Sequence, residues 1–209
     1  MEIQESYNIW AKSYDSDNNL TRDLEAEALR ETLGGMKTKI CLELGCGTGK
    51  NTEWLAGVSE KVIAVDFSDK MLDIAKRKSY TKTIEFIKAD IAQPWNFLSD
   101  NANLIVCSLV LEHLEDLQPF FAKAAKALAS NGYLYVGELH PFKQYLGSHA
   151  RFENEDGQVS LKCFTHNISD FVGAAKKNGF ALEELKEFFD NNNPQGVPRI
   201  LTLLFKKTY

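Results

Sequence analysis

The chain has 209 residues, 44% of them apolar and 25% charged, with a formal net charge of −5. That size suits one domain whose core needs neither disulfide nor metal to fold. The acidic balance weighs against a general nucleic-acid binder, whose footprint is basic.

The N-terminus, "MEIQESYNIWAKSYD", has no basic start leading into an apolar core, so no secretory leader is expected. No run approaches a membrane span, and no membrane partner is expected. Residues 1–38 read as a helical cover preceding the first strand. "KICLEL" from Lys39, "KVIAVD" from Lys61, "IEFIKAD" from Ile84, "NLIVCS" from Asn103 and "YLYVGEL" from Tyr133 read as strands. Between them "NTEWLAGVS", "SDKMLDIAKRK" and "DLQPFFAKAAKALAS" carry helical spacing, with Ser68 as an N-cap and Asn131-Gly132 as a helix stop. Residues 139–166 form a long connection, expected as an insertion or lid, with a hairpin signal at Asp156-Gly157. A helix ending at Gly179 and two further strand-like runs, "ALEELKEFF" and "RILTLLFKK", close the chain. The alternation predicts a single α/β domain over 1–209, built on a doubly wound, mostly parallel sheet.

The segment from Cys41, "CLELGCGTGKNTEWL", runs strand, glycine turn, helix, the order that cradles a nucleotide. A Walker A loop needs a glycine five residues before Gly49-Lys50, where Leu44 stands, and Ser or Thr after it, where Asn51 stands. The dinucleotide fingerprint needs a third glycine at Lys50. What stands instead is Glu43-x-Gly45-x-Gly47-x-Gly49, and a carboxylate at Glu43 repels a pyrophosphate but favours an ammonium or sulfonium. Asp66, about twenty residues on, ends the second strand, where an acid accepts from a ribose diol. Asp90 ends the third, within reach of an adenine amino group. Three acids at neighbouring strand ends suit a cationic nucleoside without phosphates, and S-adenosylmethionine fits best.

At these residues the chain resembles the class I S-adenosylmethionine-dependent methyltransferases, from about Tyr7 to Lys206. "LELGCGTG", "VIAVDFSDKML", "IKADI", "CSLVLEHLED" and "NGYLYVGE" follow the order of that family's segments. The resemblance implies a seven-stranded Rossmann-like sheet whose last strand is antiparallel. It implies that Gly45 and Gly47 admit the methionine end of the cofactor, with Cys46 a small residue between them and Glu43 near the ammonium. It implies Asp66 on the ribose, Phe67 and Met71 packing on the adenine, Asp90 and Ile91 at its edge, Ser108 and Leu109 beneath the sulfonium, and Tyr14 over the methionine portion.

Methyl transfer from a sulfonium needs alignment above all, and a base only where the acceptor carries a proton. His140, after a strand end, is the first candidate base and His166 the second. His113, Tyr145, His149 and Arg151 are expected at the acceptor, with Arg151 suited to a carboxylate. "CSLV" lacks the Asn/Asp-Pro-Pro-aromatic motif of enzymes acting on base amino groups, and no Pro-Cys nucleophile is present. The expected acceptor is therefore a small molecule, methylated on oxygen, nitrogen or carbon. Alternatives are a protein that binds the cofactor without turnover, as a sensor or partner subunit, and a nicotinamide oxidoreductase, disfavoured by Lys50. The four cysteines, Cys41, Cys46, Cys107 and Cys163, lack metal-finger spacing. No metal is expected, and reduced thiols point to the cytoplasm.

Overall fold

Strands that are apolar at nearly every position need cover on both faces, and here they form the middle of one seven-stranded sheet. The computed structural model describes residues 2–154 and 157–208. Five strands, β1 (Thr38–Leu44), β2 (Ser59–Asp66), β3 (Ile84–Lys88), β4 (Ala102–Ser108) and β5 (Leu128–Leu139), run parallel. A separate hairpin, β6 (Arg151–Asn154) with β7 (Gly157–Ser160), stands apart from the sheet; Asp156, at its expected turn, lies outside the described residues. β8 (Phe180–Phe189) and β9 (Pro198–Lys207) complete the order β3-β2-β1-β4-β5-β9-β8, with β9 antiparallel to both neighbours. This is the doubly wound sheet with an antiparallel last strand that the sequence predicts.

The period of two along each strand sorts the core into two layers. Leu42, Leu44, Ile63, Val65, Ile105 and Val136 face α5 (Gln118–Ala127) and α7 (Ile168–Lys177), which bring Phe120, Phe121 and Phe171. Cys41, Val62, Ala64, Leu104 and Val106 face the opposite side, against Leu29 of α2 (Leu20–Thr32), Leu55 of α3 (Thr52–Val58) and Leu72 of α4 (Asp69–Arg77). α4 starts where the sequence places it: the Ser68 hydroxyl accepts from Met71 N at 3.1 Å.

Asn131-Gly132 is not a helix stop. The helix ends at Ala127, Leu128 already pairs with Ala102, and Asn131, at φ 60°, sits in an irregularity within β5. The apolar pull of Leu128 into the sheet outweighs the local stop signal.

α1 (Ile3–Trp10) lies over the carboxyl ends of the strands and is fastened to the turn after β2. Gln4 donates to the Phe67 carbonyl at 2.5 Å, and the Ser68 hydroxyl donates to Asn8 at 2.7 Å. A third apolar cluster joins α1 to the hairpin: Trp10 stacks on Phe152 with centroids 5.2 Å apart, and Leu161 packs beside them. α6 (Pro141–Tyr145) leads from β5 into that hairpin. Among the described residues no helix is long and apolar enough to cross a membrane.

Gly137 of β5 faces α2 at a point where a Cβ would lie 2.5 Å from Glu25 Oε1 and 2.7 Å from Tyr135 Oη. Glu25 is buried and bound to that hydroxyl at 3.1 Å, so it cannot swing aside cheaply. Gly137→Ala is expected to lower stability by about 1–3 kcal/mol, as overpacking does, read as a drop in the thermal unfolding midpoint.

Candidate functional site

The strand order reverses between β1 and β4, the place where open α/β sheets bind ligands. There the chain leaves β1 through Gly45 (φ 74°) and Gly47 (φ 53°), left-handed conformations that glycine adopts freely. A Cβ at Gly45 would lie 2.2 Å from Val110 Cγ2, so the two strand exits touch. At Gly47 a Cβ would meet nothing within 4 Å, and that backbone borders open cavity. The turn is held from the next strand: Gly45 N and Cys46 N donate to the Val65 carbonyl, and Gly47 N donates to Asp66 Oδ2 at 2.8 Å. After β4, Leu109 takes φ 56° and Glu138 Oε1 accepts from Val110 N and Leu111 N at 3.0 and 2.8 Å.

These turns enclose a cavity of about 560 Å³, within the range of small-molecule sites. Of the residues expected at the cofactor, Tyr14, Gly45, Gly47, Asp66, Phe67, Met71, Asp90, Ile91, Ser108 and Leu109 line it. Glu43 and Cys46 line an adjoining recess at the glycine turn instead. α1 contributes Ile3, Gln4 and Tyr7 to the roof, and His113 lies at the same end.

Electrostatically the site is a set of buried acids. Burial raises the Glu43 carboxyl to about 8, only partly opposed by the Thr52 hydroxyl that donates to it at 2.6 Å. Burial raises Asp66 to about 6, against the backbone N–H groups that favour its charge. Glu25 is likewise raised by burial and accepts from Asn51 Nδ2 at 3.0 Å. Asn51 Oδ1 is buried beside the recess with no partner among the described residues. An acceptor-rich recess that ends on an unpaired acceptor fits a ligand bringing ammonium donors. The open face of Gly47 fits a ligand in contact with backbone. The donor and acceptor set therefore matches S-adenosylmethionine.

The expected bases stand elsewhere. His140 is fully buried; its Nδ1 accepts from Phe142 N at 3.1 Å, capping α6, and its Nε2 donates to Glu187 at 2.9 Å. Burial pulls its pKa below the ordinary value, with Glu187 acting the other way. His166 donates from Nε2 to the Leu114 carbonyl at 2.7 Å and borders a separate cleft beside α7. Neither imidazole reaches the cavity. Nor do three of the expected acceptor residues: the Tyr145 hydroxyl bonds Asn167, His149 bonds Gly147 and Ser160, and Arg151 is exposed on the hairpin. A position after a strand end was the signal for His140, but the chain turns there into α6 and carries the ring into the core.

His113 does face the cavity. Its Nδ1 donates to the Lys162 carbonyl at 3.0 Å, which leaves Nε2 as the acceptor for the Tyr7 hydroxyl at 2.8 Å. Tyr7, Gln4, Glu25 and Asn51 are site residues that sequence reasoning missed. For Glu25 a signal exists, since it falls in register with Leu29 and Leu33 on the apolar face of α2. For Tyr7 nothing in the spacing distinguishes it from a core aromatic.

Comparison with known proteins agrees with this geometry. A family described as "Methyltransferase domain" matches residues 42–136. An uncharacterized methyltransferase of Emericella nidulans is 25% identical, with 88% of this chain and 78% of that protein covered. A malonyl-[acyl-carrier protein] O-methyltransferase of Bacillus cytotoxicus is 32% identical over 77% of this chain, which spans 57% of that protein's length. The crystal structure of an S-adenosylmethionine-dependent methyltransferase from Mesorhizobium loti superposes with a TM-score of 0.70 at 22% identity, covering 88% and 97% of the two chains.

The raised carboxyls set a pH dependence. Folded Glu43 and Asp66 hold protons that the unfolded chain releases, so between their ordinary values and about 8 and about 6 the folded state binds more protons. Stability of the ligand-free protein is expected to fall as pH rises through that window. Thermal unfolding from about pH 5 to about pH 8 measures the slope, and Glu43→Gln is expected to flatten its upper part.

Proposed function

Because the chain belongs to the class I S-adenosylmethionine-dependent methyltransferases, we propose that it methylates an oxygen, nitrogen or carbon nucleophile of a small molecule, with His113 as the proton acceptor. The observation that carries this reading is His113 Nε2 at the roofed end of the cavity, kept unprotonated by the Lys162 carbonyl on Nδ1 and hydrogen-bonded by the Tyr7 hydroxyl. The similarity to a malonyl-[acyl-carrier protein] O-methyltransferase and a ubiquinone-biosynthesis O-methyltransferase supports oxygen among these acceptor atoms.

Bound S-adenosylmethionine supplies a methyl carbon on a sulfonium, already activated for displacement. The chain's own task is alignment, proton removal and exclusion of water. Asp66 spends two acceptor sites on Gly47 N and Ser68 N and keeps others for the ribose hydroxyls. Asp90 and Ile91 would flank the adenine, Phe67 and Met71 would pack on it, and Tyr14 would cover the methionine portion. Glu25, Glu43 and the unpaired Asn51 oxygen would hold the ammonium. Tyr7 yields its hydrogen bond on His113 to the acceptor, whose proton passes to Nε2. The α1 roof, seated on the hairpin through Trp10 and Phe152, keeps water out. The four free thiols, three of them buried, support placement in a reducing compartment such as the cytoplasm.

Calorimetry with S-adenosylmethionine and S-adenosylhomocysteine, followed by a screen of small hydroxyl and amine acceptors with methyl-labelled cofactor, tests the reading. With the acceptor found, His113→Ala is expected to slow transfer by about 10²–10⁴-fold and to leave cofactor affinity unchanged. His140→Ala is expected to lower the unfolding midpoint and spare the transfer step. Equal rates for His113→Ala and the parent would refute the role of His113.

A further inference from the structure

Lys123, on α5, does not line the cavity, yet its ammonium reaches the chain segment that follows Asp90. Nζ donates to three consecutive carbonyls, those of Ile91, Ala92 at 2.9 Å and Gln93 at 3.1 Å. Three donors thus meet three acceptors, and an ammonium has no more to give. The Trp95 indole donates to the same Ile91 carbonyl at 3.0 Å, and the Lys123 charge stands over that ring, 5.6 Å from its centroid.

A trans peptide points its N–H away from its own carbonyl. With the carbonyls of Ile91 and Ala92 turned to Lys123, the N–H groups of Ala92 and Gln93 turn back toward Asp90. The first donates to Asp90 Oδ1 at 2.8 Å and the second to the Asp90 carbonyl at 3.0 Å. Asp90 borders the cavity. One peptide plane therefore connects the ammonium to the Asp90 carboxylate, and a second connects it to the Asp90 main-chain carbonyl.

We infer that Lys123 is a positioning residue for cofactor recognition, aiming the Asp90 carboxylate at the exocyclic amino group of the nucleobase. The inference rests on the reading that Asp90 meets that group. The ammonium acts as a tethered cation: it replaces an ion or waters that would leave residues 91–93 free to rotate. Charge-assisted bonds to carbonyls are the stronger kind, which suits a device that must hold three of them at once.

The test is calorimetric and needs no acceptor. S-adenosylhomocysteine is compared with its hypoxanthine counterpart, in which a carbonyl oxygen replaces the amino group, on the parent, Asp90→Ala, Lys123→Met and the double variant. The parent is expected to prefer the adenine form. Lys123→Met is expected to lose about tenfold in affinity for it, the equivalent of 1.4 kcal/mol, and little for the hypoxanthine form. The double variant is expected to bind no more weakly than Asp90→Ala, and Lys123→Arg to retain the preference. Equal losses for both bases, an unchanged preference in Lys123→Met, or additive losses in the double variant would overturn the inference. An unchanged preference in Asp90→Ala would overturn the Asp90 reading with it, and is distinguishable because Asp90 is then silent by itself. Should Lys123→Met fail to fold, Lys123→Gln takes its place in the same comparison.

Discussion

One residue ties three strand ends together. The Asp66 carboxylate accepts from Gly47 N, in the turn after β1, and from Ser68 N, at the start of α4. Its main-chain carbonyl accepts from Ala89 N, past the end of β3. The glycine turn, the helix start and the segment leading to Asp90 are therefore registered against a single point, and the cavity takes its shape from that registration. Parallel strands leave their carboxyl ends as loose loops unless something spans them. Here the span is a buried acid whose ionisation burial opposes, so the protein accepts an electrostatic cost to fix the geometry.

The same cost explains the character of the site. Glu25 and Asp66 lie near enough to Glu43 that each adds to the difficulty of ionising it. A phosphate-bearing nucleotide would deepen that repulsion, while a cofactor with an ammonium and a sulfonium relieves it. Cofactor choice in this chain is a matter of the sign of charge as well as of shape. The sequence already hinted at this through Glu43, but the recess owes as much to Glu25, brought in by a helix that precedes the first strand.

The parts of the fold legible from the sequence are those in which short-range pattern and long-range packing agree. Strands β1 to β5 and the Ser68 cap follow from apolar runs, glycines and a capping serine close together in the chain. Asn131-Gly132 shows the limit: a local stop signal yields when Leu128 gains a place in the sheet. The histidines show it more sharply. Whether an imidazole reaches a cavity depends on the path of the chain after β5, and α6 carries His140 away while the turn after β4 brings His113 in. Tyr7 and Asn51 act through partners 106 and 26 residues away, His113 and Glu25, so no spacing rule exposes them.

The roof of the cavity has a consequence of its own. α1 and the β6–β7 hairpin lie far apart in the chain, and they meet through Trp10 and Phe152 rather than through any strand of the main sheet. A change in the roof is felt in both segments at once, since a new side chain on α1 shifts the surface on which the hairpin rests. The strands beneath would keep their sequence throughout. The roof is thereby separable from the sheet beneath it, built from two distant pieces of chain that pack as one.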